Sequence, residues 1–443
     1  MTRRTKIVLS STAGLFVAAV VGYRIWTWEM ESRFEAKVAA IAMRGEPTTL
    51  ADLVPPDAPD GENAATFYLK AFAHPCFEPD NAGADVLMKV SHDEPLSARD
   101  IEEARRIVER AREPLALLRE AATRKKCRFA THYASAGNPF APPPHWKPLQ
   151  DAVELVRTAA QVDTADGRVD DALADSRALI RLAAVRVEEM WPSSYAGWVW
   201  RDAAKQAERA LNAGEASSDA LRATMAALSD VEDRAPLLNA LRRERCWGIE
   251  LCRQMLSGRR EFMRRYQAYG PGWVNATWDV FGAMGYGDAS RYLDMMDRFI
   301  ADAAQPYHAR DVKGQPSGGI RCGVHWLEEP PWRRPFTYYT EGDVPEELLA
   351  FDRTIAHLAC LKVALALRLH RLKHGVYPEL LAALVPEFLD KLPLDPFSGK
   401  DLVYRREGKG FVVYSLDWDG ADDNGVPSQR SQNQGDIVFR VSR

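Results

Sequence analysis

The stretch PEELLAFDRTIAHLACLKVALALRLHRLKHG (345–375), continued by VYPELLAALVPEFLDKLPLDPFSGK (376–400), decides how the C-terminal quarter of the chain folds. Leu348, Phe351, Ile355, Leu358, Leu365, Leu369 and Leu372 recur at intervals of three and four, with a longer step in the middle. That spacing places them on one face of a helix predicted over 345–374. Gly375 is the expected terminator, because glycine enters the left-handed conformation that ends helices without a Cβ penalty. Arg353, Lys362, Arg368 and Arg371 make this helix amphipathic rather than membrane-embedded. Tyr377-Pro378 opens a short helix bearing Leu380, Leu381 and Leu384, and LPLDPFSG (392–399) is rich in turn formers. Two strands are predicted at 401–406 and 410–415, joined by Glu407-Gly408-Lys409. An acidic loop, DWDGADDNG (417–425), leads through a polar stretch to a last strand at 436–441.

Upstream, the pattern is helical. Ser97 with Asp100 three residues on approximates a capping box ahead of IEEARRIVERAR (101–112), and Pro114 can start the next helix. PFAPPPHWKP (139–148) reads as a rigid connector. Leu149, Val153, Val156 and Ala160 share one helix face, Asp166-Gly167 turns the chain, and further helices are expected at 169–189, 194–212, 218–232 and 236–260. Helix after short loop after helix predicts an antiparallel array. The Arg105-Arg106, Arg242-Arg243 and Arg259-Arg260 pairs are expected on solvated faces.

At the N-terminus, Arg3, Arg4 and Lys6 precede the uncharged run IVLSSTAGLFVAAVVGY (7–23). As a helix this run is about 25 Å long, just under the hydrocarbon thickness of a bilayer. Tyr23, Trp26 and Trp28 suit an interfacial belt, and Arg24 can snorkel to the headgroups. A cleaved secretory signal is the alternative, but its apolar core is shorter and ends in small residues, whereas bulky aromatics stand here. The reading is a single transmembrane anchor that contacts the membrane through residues 7–23. The excess of positive charge before the run places the N-terminus inside and the bulk of the chain outside the cytoplasm, on the inner membrane.

The full chain has 443 residues, 46% of them hydrophobic and 27% charged, with a formal charge of −4. That composition excludes wholesale disorder and a polytopic membrane protein, and the near-neutral balance leaves no global footprint for nucleic acid. Six cysteines (Cys76, Cys127, Cys246, Cys252, Cys322 and Cys360) permit disulfides in an oxidising compartment without choosing a pairing. Cys322 and His325 form a lone C-x-x-H, short of a zinc site, and the nine histidines offer no ligand spacing. No H-E-x-x-H, G-x-S-x-G or Walker loop is present. Aromatic residues interleaved with glycine between 262 and 339 can stack sugars or pack under long connections. Acidic pairs such as Glu328-Glu329 and Glu346-Glu347 leave open an enzyme or binding protein acting on polysaccharide.

The C-terminal order of elements resembles the globular part of the type II secretion pseudopilins, the major pseudopilin especially. The matching residues are Gly375, Tyr377 and Pro378, then Leu381 and Leu384, Leu392-Pro393-Leu394-Asp395-Pro396, Tyr404, and Tyr414-Ser415 before the acidic loop. The resemblance covers residues 350–440, under a quarter of the chain. It departs from the family in having its apolar run more than 300 residues upstream and no prepilin cleavage motif. The whole chain also looks like uncharacterised bacterial membrane-anchored envelope proteins. The resemblance implies a structural calcium ion in the acidic loop. Asp417, Asp419, Asp422 and Asp423 are the candidate metal ligands there, with Asp436 as a distal one. The chemistry agrees, since Ca²⁺ takes oxygens from carboxylates and carbonyls on flexible loops and would relieve the repulsion among these acids. A solvated acidic turn is the alternative.

The expected fold is therefore mainly α. A transmembrane anchor (1–28) leads to a stalk and irregular segment (29–95), an antiparallel helical array (96–260), an aromatic-rich connector (261–344) and a pseudopilin-like α+β module (345–443). The expected role is a non-catalytic structural or protein-interaction component of the cell envelope, secretion-related through the resemblance.

Overall fold

The computed structural model describes residues 3–54, 58–77, 84–129, 144–189, 194–229, 235–257, 282–310, 344–427 and 435–443. It is mainly helical, with one small antiparallel sheet near the C-terminus. The helices are α1 (Arg3–Met43), α2 (Ala64–Phe72), α3 (Ala84–Ser91), α4 (Ala98–Arg110), α5 (Arg112–Ala121), α6 (Trp146–Ala165), α7 (Val169–Glu189), α8 (Ser194–Ala213), α9 (Ser218–Ser229), α10 (Ala235–Ser257), α11 (Gly282–Ala303) and α12 (Val344–His374). The strands are β1 (Val403–Glu407), β2 (Gly410–Ser415) and β3 (Ile437–Val441). By contact the chain forms two compact units. One comprises Met1–Val54, Leu241–Ala301 and Pro316–Pro345; the other comprises Pro55–Ala240, Asp302–Gln315 and Glu346–Arg443.

In the second unit, local signals set the helix limits. The Ser97 side chain accepts from the Asp100 backbone N–H while the Asp100 carboxylate accepts from the Ser97 N–H, closing the capping box at the start of α4. Gly167 takes a φ of +72° between α6 and α7, and Gly375 one of +79° after α12. Leu149, Val153, Val156 and Ala160 are all fully buried on α6. α7 packs between α6 and α8, with the Trp200 indole N–H donating to the Ile180 carbonyl at 2.9 Å. At Gly197 the long helix α12 comes close: an added Cβ would lie 3.0 Å from the Thr354 hydroxyl, which donates to the Ala350 carbonyl at 2.8 Å and lies 3.3 Å from the Gly197 carbonyl.

Buried charge in this array is paired across helices. Arg119 on α5 reaches Asp175 on α7 at 2.7 Å and Asp163 on α6 at 2.9 Å. Arg157 on α6 pairs with Asp202 on α8 at 2.6 Å, and its guanidinium lies 4.4 Å from the Trp198 ring centroid. Burial with pairing is what makes such groups tolerable.

The sheet has the order β1-β2-β3. Its register pairs Val403 with Tyr414 and Glu407 with Gly410, then Phe411 with Val441 and Ser415 with Ile437. β2 is the central strand and is buried along its whole length. At Gly410 an added Cβ would sit 1.8 Å from the Val441 carbonyl oxygen, so only glycine permits that pairing. The outer edge of β3 is covered from α8. The Glu208 carboxylate accepts from the Arg440 N–H at 2.8 Å, and the Asn212 side chain bonds both Arg440 and Ser442. Arg368 on α12 is buried rather than solvated, and its guanidinium donates to the Gly214 carbonyl and to Glu215, both at 2.9 Å. That contact neutralises the negative C-terminal end of α8.

In the first unit, α1 continues without a break past residue 28 to Met43. Phe34, Val38 and Ile41 on its second half are buried. Ion pairs flank this stripe: Lys37 with Asp294 at 2.5 Å, Arg44 with Asp297 at 2.8 Å, and Arg253 with Glu35 at 2.8 Å. Arg245, fully buried, holds Glu46 and Asp297 at 2.7 Å each. α10 and α11 meet at Gly248, where the Tyr292 ring fills the space a Cβ would need.

Candidate functional site

The acidic loop connects β2 to β3 and is held by the turn-rich stretch before β1. Asp395, buried there, accepts from the Ser415 hydroxyl at 2.7 Å, from the Ser398 hydroxyl at 2.8 Å and from the Phe397 N–H at 3.0 Å. This one carboxylate ties the LPLDPFSG turn to the end of β2, and with it the start of the loop.

The five candidate ligands fall into separate settings. Asp417, at a φ of +57°, is buried and accepts from the Arg353 guanidinium at 2.9 Å and from the Trp418 N–H at 2.8 Å. Burial raises its carboxyl above the ordinary range, while Arg353 opposes the rise. A cationic side chain already fills the place an ion would take at this residue. Asp419 is exposed and accepts from the Ala421 N–H at 3.1 Å.

Asp422, Asp423 and Asp436 lie together. Asp422 accepts from the Tyr414 hydroxyl and the Asn424 N–H, each at 2.9 Å. Burial and this acidic partner push the Tyr414 phenol up to about 12. Asp436 is almost wholly buried; one of its oxygens accepts from the Gly425 N–H at 2.7 Å and the other has no hydrogen-bond partner. Asp423 likewise has one buried oxygen without a partner. Burial pushes the Asp436 carboxyl up to about 6, against the lowering effect of the Gly425 and Asp423 N–H groups, and the charges of Asp422 and Asp423 add to the rise.

Orphaned carboxylate oxygens facing like charge are what a hard cation satisfies. Among the described residues no group of three or more His, Cys, Asp or Glu side chains stands ready-made around a metal position. Of the five candidate acids, Asp423 and Asp436 are the two with a buried oxygen left without a partner.

The sequence did not reveal Arg353 as the partner of Asp417, 64 residues away, or Asp395 as the brace of the loop. The only signal for the second is the D-P-x-S spacing of a turn, in which the aspartate accepts from residues two and three positions on. Among the described residues Cys76, Cys246, Cys252 and Cys360 form no disulfide. Cys322, His325, the Glu328-Glu329 pair, and the aromatic segment apart from 282–310 lie outside the described residues.

The other candidate feature is α1. From Thr12 to Gly22 every residue is exposed, and Leu15, Phe16 and Trp28 are 72%, 71% and 69% exposed. Val17, Val20, Val21, Ile25 and Trp26 are exposed with them. At about 100° per residue these side chains point to all sides of the helix. The side chains of residues 3–11 lie outside the described set. Among the described residues no helix is long and apolar enough to cross a membrane.

No protein-family model, curated protein or solved structure matches this chain.

Proposed function

We propose that this chain is a membrane-anchored extracytoplasmic protein that acts as a structural or protein-interaction component of the cell envelope. The observation that carries the reading is the exposed apolar surface of α1 at Leu15, Phe16, Val17, Val20 and Val21, resumed after Arg24 by Ile25, Trp26 and Trp28 and continuous with a buried stripe at Phe34, Val38 and Ile41. An exposed apolar surface of this extent finds its place in a protein core or in lipid, and nothing in the described chain covers this one. Arg3, Arg4 and Lys6 ahead of it orient the N-terminus toward the cytoplasm. The C-terminal module is read as a pseudopilin-like head serving as a docking element. Support comes from the order of long helix, turn-rich stretch, antiparallel strands and acidic loop. A calcium ion on Asp422, Asp423 and Asp436 braces that loop in this reading.

Two experiments test it. The full-length chain is expected to resist carbonate extraction, and Phe16→Arg with Val17→Arg is expected to release it. Cys76, free and exposed, gives the topology: a membrane-impermeant maleimide added outside the inner membrane labels it if the body is exported. Recovery of the intact chain in the soluble fraction, or protection of Cys76, overturns the reading. In-cell crosslinking then identifies the partners.

A further inference from the structure

We propose that His370 and His374 form a surface site for a late first-row divalent cation, Zn²⁺ or Cu²⁺, at the C-terminal end of α12. The two residues are four apart, so they stand on the same face one turn from each other. Their ring centroids are 4.4 Å apart. Two imidazole nitrogens on a tetrahedral Zn²⁺ lie about 3.3 Å apart, given Zn–N bonds of about 2.0–2.1 Å, so binding one ion requires the two rings to turn their nitrogens toward a common point.

The surroundings suit ligation. His370 Nδ1 lies 2.9 Å from the Val376 carbonyl oxygen. With the proton on Nδ1 the ring donates to that carbonyl, which leaves the lone pair on Nε2 free for a metal. A backbone carbonyl behind the ring is the usual second partner of a metal-binding histidine. His374 Nε2 is 3.8 Å from a carboxylate oxygen of Glu387, the acid that can complete the set. The Phe388 ring packs beside both imidazoles, at 5.7 and 6.2 Å, and limits their motion.

Charge also favours a cation. Both histidines sit near the end of α12, where the exposed carbonyls carry the negative end of the helix dipole. Of the nearby cations, Arg371 is turned toward Tyr377 and the Arg443 carbonyl, and Lys373 is engaged by Glu387. The two imidazoles supply the first ligands, Glu387 can exchange Lys373 for the ion, and water supplies the remaining positions. Imidazole ligands select late transition metals over Ca²⁺, so this site is chemically distinct from the acidic loop.

The test uses full-length protein in detergent, stripped with chelator and then held in excess Ca²⁺ so that the acidic loop is satisfied. Titration with ZnCl₂ is followed by calorimetry, and Cu²⁺ loading by electron paramagnetic resonance. The expected result is one equivalent of Zn²⁺ bound, weakened at least about tenfold by His370→Asn or His374→Asn, and less by Glu387→Gln. The Cu²⁺ spectrum is expected to show two coupled nitrogens, falling to one in either histidine variant. Circular dichroism confirms that α12 is kept. The proposal is overturned if Zn²⁺ fails to bind, or if its affinity and the nitrogen count are unchanged in the folded double variant.

Discussion

The Asn212 side chain stands beside Arg440 in the position of a neighbouring strand: it donates to the Arg440 carbonyl at 2.8 Å and accepts from the Ser442 N–H at 2.9 Å. Through it and Glu208, helix α8 satisfies the outer edge of β3. An uncovered edge would be a template for pairing with other chains, so this contact also blunts the sheet on that side. The other edge, β1, presents Arg405 and Arg406 instead. The C-terminal sheet and helix α8 therefore belong to one packed unit.

Asn212→Ala removes both of these hydrogen bonds together with one to the Glu208 carbonyl, and the first two set the expected cost. At about 0.5–1.5 kcal/mol for each, the loss is expected to be about 1–3 kcal/mol. Urea denaturation of the variant checks this, and an unchanged midpoint would show that water replaces the amide at no cost.

Arg157 and Asp202 are both buried, and removing one leaves the other only its weaker partner, Glu154 for Arg157 at 3.1 Å and Gln206 for Asp202 at 3.4 Å. Arg157→Met or Asp202→Leu alone is expected to cost about 3–5 kcal/mol, while the double substitution recovers most of that. A double-mutant cycle in urea measures the coupling, and simply additive losses would refute it.

His357 is expected to contribute to acid sensitivity. Burial, reinforced by the positive charges of Arg201, Lys205 and Arg353, pushes its imidazole down to about 3. The folded chain then binds fewer protons than the unfolded chain below the ordinary histidine value near 6.5. This contribution to stability is complete above that pH and is lost progressively as pH falls from about 6.5 toward 3. His357→Phe is therefore expected to show a shallower loss of stability than the parent between about pH 6.5 and pH 4. Parallel curves would rule the assignment out.

Asp436 works in the opposite sense. Its carboxyl is raised to about 6, so without metal its burial is harmless at low pH and becomes destabilising as pH rises from the ordinary carboxylate range toward that value. Ca²⁺ is expected to remove the penalty and raise the thermal midpoint of the parent at neutral pH. Asp436→Asn is expected to be insensitive to Ca²⁺ and flatter in pH. A parent midpoint that does not respond to millimolar Ca²⁺ would dismiss the ion.

Much of the local structure was legible in the residues. The capping box at Ser97, the turn at Asp166-Gly167, the limits of α7 and the stop at Gly375 all rest on interactions within a few positions. So do the strands around Glu407-Gly408-Lys409, whose hairpin closes locally. His370 and His374 stand four apart in the sequence, but nothing there marked them as a pair. What it lacked was the Val376 carbonyl and the Phe388 ring, which give that spacing a meaning.

The remainder depends on partners far apart in the chain. Asn212 and Arg440 are separated by 228 positions, Arg368 and Gly214 by 154, and Arg353 and Asp417 by 64. Nothing in the local pattern distinguishes Arg368, buried against the end of α8, from Arg371, half-buried one turn on. Asp417 and Asp436 are alike in sequence as acids flanking a loop. Packing gives one a guanidinium and leaves the other with an orphaned oxygen. The sequence by itself determined the helices between 97 and 257, the long helix before Gly375 and the strands, because backbone hydrogen bonds and caps are short-range. Ala64–Phe72 and Ala84–Ser91, in the segment expected to be irregular, and Gly282–Ala303, in the expected connector, were not read from it. Only the tertiary structure decided which charges are neutralised and which are left seeking a partner, because burial and pairing are properties of the packed chain.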